Sequence, residues 1–163
     1  MSKGYSGHFN KTQGARYGTG TVASAQRVAV AQWAKQKLAS LGKRKAKDVN
    51  TAAVAFDEST GKMYFGVNKG ISLNRSKRNP IIFGDGERPG LLPRESLNNY
   101  PLGNCAEVDA INSALNDGAR LENLHIYTIH ATKGKFGQPK CACENCTYAF
   151  KGRIKTNNSG WSK

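Results

Sequence analysis

Two short stretches hold the residues best suited to chemistry: Asn104-Cys105-Ala106-Glu107 and Cys141-Ala142-Cys143-Glu144-Asn145-Cys146. Zinc held by three protein ligands keeps a fourth position for water, and a carboxylate outside the metal shell can shuttle that water's protons. Cys105, Cys143 and Cys146 supply such a ligand set, and Glu107, two positions after Cys105, is placed to be the acid–base group. Cys141 is a fourth thiol. If it also bound the metal, the site would be closed by four sulfurs and would serve structure alone.

These residues need a scaffold that brings distant segments together. Apolar residues Val108, Ile111, Ala114 and Leu115 recur at helical spacing and predict a helix over 105–116. A second helix is expected over 143–151, so that Cys143 and Cys146, at i and i+3, project from one side. Cys105 and the Cys143–Cys146 pair would then open helices, where the partial positive charge lowers thiol pKa and favours thiolate ligands. Between them, residues 124–130 (LHIYTIH) read as a strand with little polar alternation, as expected for one covered on both faces.

Upstream, Val30, Trp33, Ala34, Leu38 and Leu41 form one stripe of a helix over 23–41. Residues 43–47 (KRKAK) read as a solvated basic loop. Residues 51–56 and 62–67 form a hairpin across the turn DESTG, and 152–156 are expected as a last short strand. The stretch 68–102 is a long connection rich in Pro, Gly, Asn and Arg, of a length that is usually functional or partly disordered. The order predicts an α/β fold, a three-layer sandwich around one mixed β-sheet. Residues 1–20 read as a flexible basic arm, 21–156 as the catalytic domain and 157–163 as a frayed tail.

The chain has 163 residues and carries 25 Lys and Arg against 11 Asp and Glu, a net charge of +14. An excess of this size points to a polyanionic partner, most often nucleic acid, single-stranded DNA or RNA in this reading. The plainer alternatives are a solubilising surface or a docking face for an acidic protein. Aromatics Tyr5, Phe9, Tyr17 and Trp161, set among basic residues, can stack on bases or be ordinary tail residues. No apolar run reaches the length of a membrane span, and the start has no apolar signal core, so no membrane partner is expected. Three of the four cysteines fall within six residues, too close to bridge well with one another, which favours metal over a disulfide framework.

The pairing of Cys-Ala-Glu (105–107) with Cys-x-x-Cys (143–146) resembles the cytidine-deaminase-like superfamily, whose signature is H-x-E with P-C-x-x-C. Within it, the chain is similar to bacterial polymorphic-toxin deaminases of the YwqJ-like type, which use CAE as well as HAE. The likeness covers roughly residues 49–154. It implies Cys105, Cys143 and Cys146 as Zn²⁺ ligands and Glu107 as the proton shuttle. Asn68 resembles an Asn that contacts the substrate sugar, although a turn role suits it equally, and His130, ending the third strand, is a candidate pocket residue. The resemblance also implies a domain of a larger secreted effector, acting in the target-cell cytoplasm and neutralised by an acidic immunity protein.

The pattern departs from the family where Lys140, Cys141 and Ala142 separate Pro139 from the Cys-x-x-Cys, and the chain after the last helix is short for two further strands. The expected activity is hydrolytic deamination of cytosine in nucleic acid. Two rivals stay open: a free nucleoside or nucleotide deaminase, and a non-catalytic zinc module with four cysteines on the metal.

Overall fold

The computed structural model describes residues 21–163. The elements run α1 (Thr21–Ser40), α2 (Lys43–Ala46), β1 (Thr51–Asp57), β2 (Met63–Val67), α3 (Pro80–Phe83), α4 (Ala106–Asn116), β3 (Leu124–His130), α5 (Glu144–Phe150) and β4 (Thr156–Asn157), with single 3₁₀ turns at Arg75–Lys77 and Leu121–Asn123. One open sheet has the order β2-β1-β3-β4; the first two pairings are antiparallel and β3–β4 is parallel. The mixed α/β sandwich expected from the pattern is thus present.

Its layering follows from strand alternation. In β1, Ala52, Val54 and Phe56 join Val30, Trp33, Ala34, Tyr127 and Ile129 in the core under α1. The alternate residues Ala53 and Ala55 face the other core, with Ile111, Leu124, Ile126, Cys146 and Phe150 under α4 and α5. All seven residues of β1 are buried. Both faces of β3 are likewise covered, which explains its unbroken apolar run.

Small residues let α4 settle close to the sheet. A Cβ on Gly66 would lie 2.5 Å from the Ala110 nitrogen and 2.7 Å from the Ala106 oxygen. One on Gly70 would overlap the Asp109 carboxylate. Asp109 Oδ2 accepts the Val67 N–H at 3.0 Å, binding the free edge of β2 to the first turns of α4. The position of the Glu107 helix is therefore set by backbone-to-backbone approach.

The long connection 68–102 is ordered by asparagines. Asn112, buried in α4, accepts from Asn79 N–H (2.7 Å) and donates to the Lys77 carbonyl (2.8 Å). Asn145, buried in α5, accepts from Leu97 N–H (2.8 Å) and donates to Ser96 Oγ (3.0 Å). Ile71 and Ile82 add apolar anchors. Each amide replaces the regular pairing that this stretch lacks.

Four expectations are corrected. Residues 43–46 form a helical turn rather than a loop, in keeping with the good helix propensity of Lys, Arg and Ala. The last strand is Thr156–Asn157, not 152–156, because Gly152 takes φ 84 and residues 151–153 turn the chain. The tail 157–163 is docked, not frayed: Asn158 N–H reaches Ile126 O (2.8 Å), Ala142 N–H reaches Gly160 O (2.9 Å) and Ser162 N–H reaches Thr147 Oγ1 (3.0 Å). Trp161 accordingly packs half-buried against the core instead of standing free. The arm 1–20, with Tyr5, Phe9 and Tyr17, lies outside the described residues.

Candidate metal centre and active site

Cys105 and Cys143 are the N-cap residues of α4 and α5, one position earlier than the first-turn placement expected from the spacing. Both have extended backbone, and neither uses its side chain to cap its helix, so the sulfurs remain available. Cys146 lies fully buried one turn into α5. The three sulfurs all lie within 4.8 Å of one another, and Cys105 Sγ is 2.7 Å from Cys143 Sγ. No disulfide involves them. They form a group that can hold a metal ion.

The charges agree with that use. The Cys105 and Cys146 thiols donate toward Cys143, and the Cys146 and Asn145 backbone N–H groups add to this, holding the Cys143 thiol far below its ordinary value. The same sharing pushes the Cys105 and Cys146 thiols up, and burial adds to the rise. Without a metal the cluster is one thiolate solvated by two thiols. A divalent cation would replace those two protons, and soft sulfur donors select ions such as zinc. The residues fit the group.

Cys141 stands apart. Its sulfur is exposed and outside the three-sulfur group, and a Cβ on Gly160 would sit 3.2 Å from it. The closed four-cysteine arrangement is not what this geometry presents.

Glu107 shares a cavity of about 120 Å³ with Cys105 and Cys143; Asn68, Lys140 and Tyr100 also line it. The Glu107 side chain is 4% exposed, and burial pushes its carboxyl up to about 7. The negative charge of Cys143 raises it further, while its own backbone N–H, Lys140 and Thr128 pull it down. A carboxyl with that balance can exist in either state near neutrality, as proton transfer in both directions requires. Thr128 is fully buried on β3, and its hydroxyl has no hydrogen-bond partner of good geometry, although it lies near enough to Glu107 to favour the ionised form.

Asn68 serves the fold and borders the cavity at once. Its Oδ1 accepts the N–H groups of Asn50 (3.0 Å) and Thr51 (3.2 Å), and its Nδ2 donates to Asp48 O (2.8 Å). Among the described residues one Nδ2 hydrogen is left over. His130 is half-buried at the end of β3, where burial, Lys140 and Lys135 lower its pKa, and it does not line the cavity. His125 is on the opposite face, between Glu58 Oε1 (2.7 Å) and Thr156 Oγ1 (2.8 Å), where it ties β4 to the hairpin turn.

Sequence reasoning passed over three site residues. Lys140 appeared only as a spacer, yet its Nζ reaches Thr51 Oγ1 (2.5 Å) and, among the described residues, it is the one cation lining the cavity. The insertion between Pro139 and Cys143 was the available signal. Tyr100 sits in an irregular loop with no pattern to mark it, and Thr128 looks like any β-branched strand residue. Compared with protein-family models, curated proteins and solved structures, the chain matches none.

Proposed function

We propose that this chain is a zinc-dependent hydrolytic deaminase that converts cytosine to uracil in single-stranded nucleic acid. The observation that carries the reading is one small cavity lined by Cys105, Cys143 and a buried Glu107, with Cys146 completing the sulfur group and Cys141 left outside it. Zinc, when bound by the three cysteines, supplies a Lewis acid that makes water a nucleophile near neutral pH. Three thiolate ligands make it a weaker acid than a site with histidine, so more of the work falls to Glu107.

Glu107 would take one proton from the attacking water and pass it to the ring nitrogen, then carry the second, from the hydroxyl now on the ring carbon, to the amino group, which leaves as ammonia. Water and cytosine thereby give uracil and ammonia. Lys140 keeps the Glu107 carboxylate accessible by opposing its burial. The free N–H of Asn68 is available to an acceptor on the substrate, and Tyr100, 58% exposed, offers a stacking face at the cavity.

Size supports a base within a polymer. At roughly 10–15 Å³ for each water, a cavity of about 120 Å³ is on the scale of a single base ring. A net charge of +14 suits the polyanion that would remain outside.

From the resemblance of the Cys-Ala-Glu and Cys-x-x-Cys pair we further propose that the domain belongs to a larger secreted bacterial toxin. It would act in the target-cell cytoplasm and be held inactive by an acidic immunity protein. The test compares uracil formation from cytidine, single-stranded DNA, RNA and duplex DNA. Faster turnover on a single strand supports the reading; faster turnover on free cytidine would replace it with a nucleoside deaminase.

A further inference from the structure

Asn68 joins two stretches of positive charge that are far apart in sequence. Its bonds to Asp48, Asn50 and Thr51 hold the segment that leaves α2, and α2 carries Lys43, Arg44 and Lys45, with Lys47 as its C-cap. On its other side the chain passes directly to Lys69, held at φ 66 with its N–H on Asn104 O (2.8 Å), and on to Arg75, Lys77 and Arg78. Both basic segments therefore depart from one wall of the cavity.

The charges on α2 do nothing evident for the fold. The helix buries no residue, and among the described residues the Lys and Arg side chains within ion-pair distance of a carboxylate are Lys62, Arg120 and Lys155. Lys43 and Lys47 are like charges four residues apart and repel, so this cluster costs stability without a structural return. Across Asn68, Arg78 is held in place: Nη2 donates to Ser72 O (3.1 Å), and the guanidinium stacks 4.6 Å over Phe83. A fixed planar cation with unused N–H groups suits phosphate oxygens.

We propose that α2 and residues 69–78 form a phosphate track for a single-stranded nucleic acid, which crosses the Asn68 wall and turns one base into the cavity. This rests on the nucleic-acid reading above and names the surface that performs it. A strand is favoured over an acidic protein because the track ends at a base-sized cavity with Tyr100 at its side. The strand would meet cations on both sides of the base that enters, so binding should span several phosphates.

The test uses a fluorescent oligodeoxycytidylate and a polyglutamate of equal charge, each titrated by anisotropy across salt concentrations. The track variant replaces Lys43, Arg44 and Lys45 with Gln. A control replaces Lys151, Arg153 and Lys163, which are exposed and carry the same charge. Each phosphate contact on a single strand contributes about −0.7 to the slope of log affinity against log salt, so the track variant should lose about 2 from that slope. The control should keep its slope, both variants should keep native zinc content, and the track variant should keep or slightly raise the thermal midpoint. Equal losses in the two variants would reduce the track to diffuse attraction and overturn the proposal. Polyglutamate binding as tight as the oligonucleotide, with the same loss in the track variant, would reassign the surface to an acidic protein. Oligonucleotide binding at the track without deamination would leave this inference standing and remove the catalytic reading.

Discussion

The Asp109 carboxylate accepts the Val67 backbone N–H at 3.0 Å while its own helix also carries Glu107, so one residue ties the proposed acid–base group to the sheet edge. Burial is the main cause of an Asp109 pKa of about 6, offset in part by the Val67 N–H and Lys37. The folded state thus holds this proton more tightly than the unfolded chain. Stability contributed by protonated Asp109 is present below the ordinary carboxylate range and is lost as pH rises toward 6. Asp109→Asn keeps an acceptor for Val67 and removes the titration. The difference in thermal midpoint between the two proteins should shift in favour of the variant from about pH 4 to pH 6 and stay flat above. A difference that does not change with pH would show that Asp109 titrates normally.

Gly66→Ala tests the close approach of α4. The added methyl would lie within 2.7 Å of the Ala106 oxygen and the Ala110 nitrogen, both backbone atoms that cannot rotate away. Overpacking of this kind costs about 1–3 kcal/mol or more. Urea unfolding should show that loss, together with lower activity as α4 is displaced. An unchanged midpoint would mean the helix can slide at no cost.

Cys141→Ser should leave metal content and turnover unchanged, whereas Cys143→Ser should lose the metal. The three sulfurs within 4.8 Å exclude Cys141, whose neighbour is the tail at Gly160. Zinc lost from Cys141→Ser alone would instead support a closed site of four cysteines.

Thr128 is the buried hydroxyl most in need of a role, since an isosteric Val would avoid an unpaired polar atom. Its place beside Glu107 is the ground for expecting it to position that carboxyl when substrate is bound. Thr128→Val should keep or slightly raise stability and lower kcat about tenfold, the worth of one hydrogen bond to a charged group, with little change in KM. Thr128→Ser should restore most of the loss. Equal activity in all three proteins would make the hydroxyl incidental.

Much of the scaffold could be read from the residues because its cause is local. Leu124–His130 is a continuous apolar strand, and Val108, Ile111, Ala114 and Leu115 keep helical spacing, so β3 and α4 were legible nearly to the residue. The three sulfurs were legible because metal chemistry restricts residue type and spacing. Thr156–Asn157 was displaced from its expected position because a two-residue strand has no periodicity of its own and is placed by the docked tail. Lys140 escaped notice for a similar reason: its side chain enters the cavity only because Lys140 N–H pairs with Thr128 O across β3 (2.9 Å), a contact no local pattern announces.

The most direct measurement of the central claim is uracil formation by the Glu107→Gln variant, made beside its zinc content. The amide fills the space of the carboxyl but cannot take up or release a proton near neutral pH, and its neutral side chain suits a buried position at least as well. The account predicts one zinc per chain in both proteins, an unchanged thermal midpoint, and turnover lower in the variant by about 10⁴-fold, the upper end for general acid–base catalysis. Native turnover in a zinc-loaded Glu107→Gln protein would contradict it.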